Sequence, residues 1–163
     1  IRITYGNFRY FNGGDLSGGA QKDLYKAKDR DMETPVAKVC GKVDVAKANH
    51  HGYYDTCNGF FLNTVSPDVM IIDARSQNHP VPPTMSRMVD HMVWPGKGEF
   101  YITVDQPRQK LGEELWSHFK PWGHIVVRVY EGGEEYQVFV LDADSLDYHI
   151  IYTSEVKKAG NNR

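Results

Sequence analysis

The chain has 163 residues, enough for one domain to bury a sizeable core without disulfide or metal staples. Hydrophobic residues make up 40% and charged residues 25%, a balance that favours neither a disordered nor a membrane class. Nineteen basic against 21 acidic side chains leave a formal net charge of -2, which argues against an extended basic surface for nucleic acid and leaves only local binding at a site.

Cys40 and Cys57 have neither zinc-knuckle nor redox spacing and read as unpaired residues in or near the core. No charged-then-apolar leader and no apolar run of about 18 residues is present, so neither a signal peptide nor a membrane span is expected. The opening Ile1-Arg2-Ile3-Thr4 reads as a strand already under way. On that reading Ile1 is not the natural start, and the compartment stays open.

In chain order, Ile1 to Phe11 reads as two short strands joined by a turn at Gly6-Asn7, a hairpin feeding the glycine turn Gly13-Gly14. Ser17 to Lys38 turns polar and charged, with thin helical support from Leu24, Tyr25 and Ala27 and an interruption at Pro35; it reads as a surface segment. Val43, Val45 and Ala46 form a short strand running into His50-His51. Asp55 to Val65 reads as a short helix capped by Asp55 or Thr56. Val69 to Asp73 is a continuous apolar strand of the kind buried on both faces. Met85, Met88, Val89 and Met92 recur at helical intervals within Pro80 to Val93, a core stripe. Phe100 to Val104 is another strand and Gln109 to Phe119 a modest helix. Gly123 to Tyr130 and Tyr136 to Leu141 flank the glycine turn Glu131 to Glu134 as a clear hairpin, and Ile150 to Tyr152 adds an edge strand. Strands alternating with helices give an α/β fold class, layered in the α+β manner, in a single domain spanning 1-163.

Two places offer ligands. Asp15 follows Gly13-Gly14, where the backbone can turn sharply and present a carboxylate from a strand end. His50-His51-Gly52 ends the strand Val43 to Ala46, and adjacent side chains there diverge, so that one imidazole can bind a metal while the other faces a substrate. His79 precedes Pro80, which pushes it toward an extended conformation at a pocket edge. His91, His118, His124 and His149 have no matching partners and read as structural.

The order of these features resembles the C-terminal half of the metallo-β-lactamase fold, in its competence-protein (ComEC-like) branch. The matching elements are Gly14-Asp15, Lys47-Ala48-Asn49-His50-His51-Gly52, the apolar strand Asp68 to Asp73, and His79-Pro80, over roughly residues 2 to 141. The resemblance implies half of an αββα sandwich, and a hydrolase using two divalent metal ions, zinc or manganese. Carried over by position, Asp15 resembles the bridging aspartate and the His50-His51 pair contains the last metal histidine; His51 is favoured as ligand and His50 as the substrate-facing catalytic group, with the reverse order open. His79 resembles a catalytic residue near the leaving group or phosphate. The implied reaction is phosphodiester hydrolysis with metal-bound hydroxide as nucleophile.

Two departures stand out. The His-x-His-x-Asp-His motif of the family's first half is absent, and Tyr53 occupies the place after Gly52 where a small residue is usual. With three or four protein ligands expected per ion, this chain alone is expected to bind metal weakly and to need a missing N-terminal half as partner. The alternative is a metal-free binding or structural module built on the same half-fold. In either case an apolar surface is expected where the other half belongs.

Overall fold

A computed structural model describes residues 1-19, 31-96 and 98-160. Its five-stranded sheet runs β1 (Arg2–Tyr5), β2 (Phe8–Asn12), β3 (Val45–Lys47), β4 (Val69–Ile72) and β5 (Glu99–Ile102), in that spatial order. The pair β1 and β2 is the antiparallel hairpin turned at Gly6-Asn7, and β2 through β5 are parallel. The crossovers between them carry α1 (Glu33–Cys40), α2 (Gly59–Val65) and α3 (Pro82–Val89), and α4 (Arg108–Trp116) follows β5. Because each crossover steps to the next strand on the same side with the same hand, the helices gather on one face of the sheet.

Period-two alternation divides the strand residues between two cores. Phe11, Ala46, Met70, Ile72, Phe100 and Ile102 pack under the helices with Phe61, Leu62, Met85, Met88 and Trp94. Phe8, Val45, Val69 and Tyr101 point the other way, onto a second, antiparallel sheet. That sheet is β6 (His124–Val129), β7 (Glu135–Leu141) and β8 (Ile150–Thr153), with β9 (Lys157–Lys158) also paired to β7. Tyr136, Val138 and Val140 of β7 fill the space between the sheets. The layers are therefore helices, mixed sheet, antiparallel sheet, and the α/β class in its α+β layering is observed. Lys157 Nζ clamps the two sheets by its bond to Glu99 Oε1 at 2.8 Å.

Several local expectations need correction. The stretch expected to be a surface segment supplies α1, with Pro35 tolerated in its first turn, where a missing N–H costs nothing. It also buries Glu33, Ala37 and Cys40. Leu24, Tyr25 and Ala27 lie outside the described residues. The cap of α2 is Asn58, whose side chain accepts from the Phe61 N–H, in place of Asp55 or Thr56. Met92 leaves the core stripe and is 91% exposed, because α3 ends at Val89. Helix α4 breaks at Gly112. Cys40 and Cys57 are free and buried, and burial pushes the Cys57 thiol up to about 12.

Candidate functional site

The parallel strands deliver all of the candidate groups to one rim. Asp15 follows β2, His50 and His51 follow β3, Asp73 and His79 follow β4, and Lys110 stands on α4 after β5. In open α/β sheets the crevice beyond the C-terminal strand ends is where ligands bind.

The turn carrying Asp15 is shaped by its neighbours. Asn12 Oδ1 accepts from the Gly14 N–H at 2.8 Å, and Gly14 takes φ 60°. A side chain at Gly13 would meet Asn49 Oδ1 at 2.1 Å. The buried Lys47 donates to the carbonyls of Gly14 and Ala48 at 3.2 and 3.0 Å, and its ammonium lies 3.5 Å from Asp73 Oδ1. It fastens the ends of three strands together.

His50 and His51 both adopt left-handed backbone, at φ 43° and 55°, followed by Gly52 at 80°. Each non-glycine residue there costs about 1–2 kcal/mol. The conformation is held by the His50 N–H on the Gly14 carbonyl at 2.9 Å, by the Tyr53 N–H on the His50 carbonyl at 3.0 Å, and by the Val81 N–H on the Gly52 carbonyl at 3.1 Å. Gly52 is obligatory for a second reason, since a Cβ there would lie 2.7 Å from Pro80 Cβ.

The strained turn sends the two imidazoles to different surroundings. His51 Nδ1 lies 2.9 Å from Asp73 Oδ1 and 3.0 Å from the Asp73 carbonyl, while its Nε2 faces Asp15 Oδ1 at 3.7 Å. Both Asp73 oxygens are acceptors, so Nδ1 is the donor toward Asp73 and Nε2 is the nitrogen left facing Asp15. His50 instead lines a cavity of about 590 Å3 with His79 and Tyr53, its ring stacked near His79 at 6.0 Å. Behind it, His50 Nδ1 stands 3.9 Å from Asp55 Oδ1, a buried oxygen with no hydrogen bond, whose partner Oδ2 accepts from Ser17 Oγ at 2.7 Å. His79, joined to Pro80 by a cis peptide, closes the group at 5.6 Å from the His51 ring. Partial burial, then the charges of His51, His50 and Lys110, hold its imidazole below the usual histidine range and so neutral at pH 7.

Ligand atoms at about 2.0–2.2 Å from a tetrahedral ion stand roughly 3.3–3.6 Å apart. The 3.7 Å between Asp15 Oδ1 and His51 Nε2 is close to that span. The Asp73 carboxylate on the far nitrogen matches the carboxylate–histidine–metal relay that fixes a ligand's tautomer. Among the described residues, however, no group of three or more His, Cys, Asp or Glu side chains is arranged to hold an ion. The described residues thus present one facing pair of ligand-type groups, Asp15 and His51.

Asp15, His50, His51 and His79 thus share one rim. His91, His118, His124 and His149 lie away from it, exposed at the surface. Lys47 and Asp55, which the sequence places next to the histidine pair, join the site, and so do Asp73 and Lys110, which had no role in the sequence reading. Asp73 was legible as a carboxylate closing an apolar run at a strand end, whereas Lys110 reaches the site from α4 through tertiary packing that carries no local signal.

Comparison of the chain with protein-family models, with curated proteins and with solved structures returned no match. Among the described residues no helix is long and apolar enough to cross a membrane.

Proposed function

We propose that this chain is the C-terminal half of a metal-dependent hydrolase of the metallo-β-lactamase fold that acts on phosphodiester bonds. The observation carrying the reading is the facing pair Asp15 Oδ1 and His51 Nε2, 3.7 Å apart, with Asp73 behind His51 at adjacent strand ends. Two divalent ions, zinc or manganese, when bound, supply Lewis acidity toward a phosphoryl oxygen and a water acidic enough to attack near neutral pH.

The chain's own residues divide the rest of the work. Asp15 and the Nε2 of His51 would be this chain's ligands to the metal, with Asp73 orienting the His51 ring through Nδ1. His50 faces the cavity with the Asp55 carboxylate 3.9 Å behind it, and passes a proton to the departing oxygen. His79 receives the substrate at the cavity edge. The ligands still lacking belong to the N-terminal half of the fold, the partner in this reading. Its support is an open, mostly apolar cleft of about 400 Å3 lined by Ile3, Phe8, Tyr10, Ile71, Ile125 and Val127, with Asp73 and Thr103 at its polar side, beside β6, the edge strand of the second sheet among the described residues.

The test compares this chain with a protein that also carries the other half, each loaded with zinc or manganese, on bis(4-nitrophenyl) phosphate. Turnover is expected only with both halves, and Asp15→Ala should remove most of it. Equal turnover in metal-loaded wild type and Asp15→Ala contradicts the role given to Asp15.

A second reading is a metal-free binding or structural module built on the same half-fold. There His51, placed between Asp15 and Asp73, holds the strand ends together and closes the rim. Zinc affinity unaffected by His51→Ala, even with both halves present, would select it.

A further inference from the structure

The cavity beside His50 contains groups that neither the metal pair nor proton transfer employs. Tyr53, Tyr54 and Lys110 line it along with His50, His79 and Val81. Tyr53 is 38% exposed, and its ring lies 5.1 Å from His50, 5.4 Å from His79 and 5.3 Å from Tyr54, which meets it edge-on.

Tyr53 is also fixed in place. Its carbonyl accepts from both Thr56 Oγ1 and Thr84 Oγ1 at 2.8 Å, and its N–H is bonded to His50. A half-exposed aromatic ring on a pinned backbone loses little freedom when a flat group stacks on it. Lys110 lines the same cavity as His79, and it forms no ion pair with a carboxylate among the described residues. The cavity therefore combines a cation, two imidazoles able to donate hydrogen bonds, and an immobilised aromatic face.

We propose that this cavity binds a phosphate ester carrying a planar ring, with the phosphate against Lys110 and His79 and the ring stacked on Tyr53, walled by Tyr54. The hydrolytic reading is needed only to place this subsite beside the scissile bond. Binding itself requires neither metal nor turnover. The planar ring is a nucleobase or a simple aryl group, since both present a π face to Tyr53.

The test is calorimetric titration of the metal-free 163-residue chain with dimethyl phosphate, bis(4-nitrophenyl) phosphate and thymidylyl-thymidine. Both ring-bearing diesters are expected to bind roughly 5- to 100-fold more tightly than dimethyl phosphate, the range stacking supplies; the tighter of the two identifies the source of the ring. Tyr53→Leu should erase that preference while Tyr53→Phe, which keeps the ring, retains it. Lys110→Gln should weaken all three ligands by a similar factor, an effect that shrinks with added salt. Dimethyl phosphate binding as tightly as the ring-bearing diesters, or unchanged affinities in Tyr53→Leu and Lys110→Gln, would overturn the subsite. Because no metal is present, loss of hydrolysis in the two-half protein leaves this result standing, and intact hydrolysis without ring preference removes the subsite alone.

Discussion

At the scale of single residues, the site is governed by what stands behind each imidazole. His51 has a carboxylate and a carbonyl of the same residue on Nδ1, so its tautomer is set before any ligand arrives. Asp73→Asn keeps the shape but offers the Nδ1 position a neutral acceptor or a competing amide donor. If the proposed metal role holds, zinc affinity in a protein carrying both halves is expected to fall about 10- to 100-fold, the range for carboxylates behind metal-binding histidines. A competition titration with a chromogenic chelator measures it, and an unchanged affinity would remove Asp73 from the relay. His79 makes a different prediction. Its folded pKa is depressed below the ordinary 6.5, so the unfolded chain takes up the proton first as acid is added. The contribution of neutral His79 is present above about pH 6.5 and is lost as pH falls through the lower folded value. Urea unfolding at a series of pH values should show His79→Asn with a shallower acid-side decline than wild type.

At the scale of elements, the rim depends on two backbone devices whose visibility in sequence differs. The Gly13-Gly14 turn and the Lys47 to Gly52 strand end were legible, because glycine beside aspartate and a strand running into paired histidines both carry local signals. The left-handed turn at His50 and His51 was not, since nothing in an imidazole demands positive φ; contacts from Gly14, Tyr53 and Val81 impose it. Helix α1 was missed for a related reason. Its anchor is the buried Glu33, which accepts from Cys57 N–H, Asn58 N–H and Asn49 Nδ2 across long sequence separations, and a glutamate in a charged stretch reads as solvent-facing. The antiparallel hairpin was clear because β-branched residues alternate on both sides of a glycine turn, whereas β9 is too short to show a period. Gly52 joins the devices. Alanine there combines left-handed backbone at φ 80° with a Cβ 2.7 Å from Pro80, and should cost about 2–4 kcal/mol in urea unfolding. A cost below about 0.5 kcal/mol would mean that the turn can relax without its glycine.

At the scale of the whole molecule, the mixed sheet is covered on one face by helices and on the other by the antiparallel sheet, whose own outer face has no such cover among the described residues. Alternation along β6, β7 and β8 places Val126, Phe139 and Ile151 on that face, opposite the inward Val127, Val138 and Tyr152. Val126 is 42% exposed and Ile151 43%, with Ile150 beside them at 56%. These exposed residues, and the cleft on the other side of β6, are apolar surface of the kind a partner covers. In a two-half protein the added chain would cover it; in the isolated chain a second copy is the nearest substitute. Sedimentation velocity should therefore show the isolated chain associating as its concentration rises, and the double variant Val126→Lys with Ile151→Lys remaining monomeric, because a lysine at each position places a charge in the contact that must otherwise be desolvated. Wild-type chain that stays monomeric throughout would mean that the outer face is a finished surface and that the two sheets with their helices form a self-contained domain.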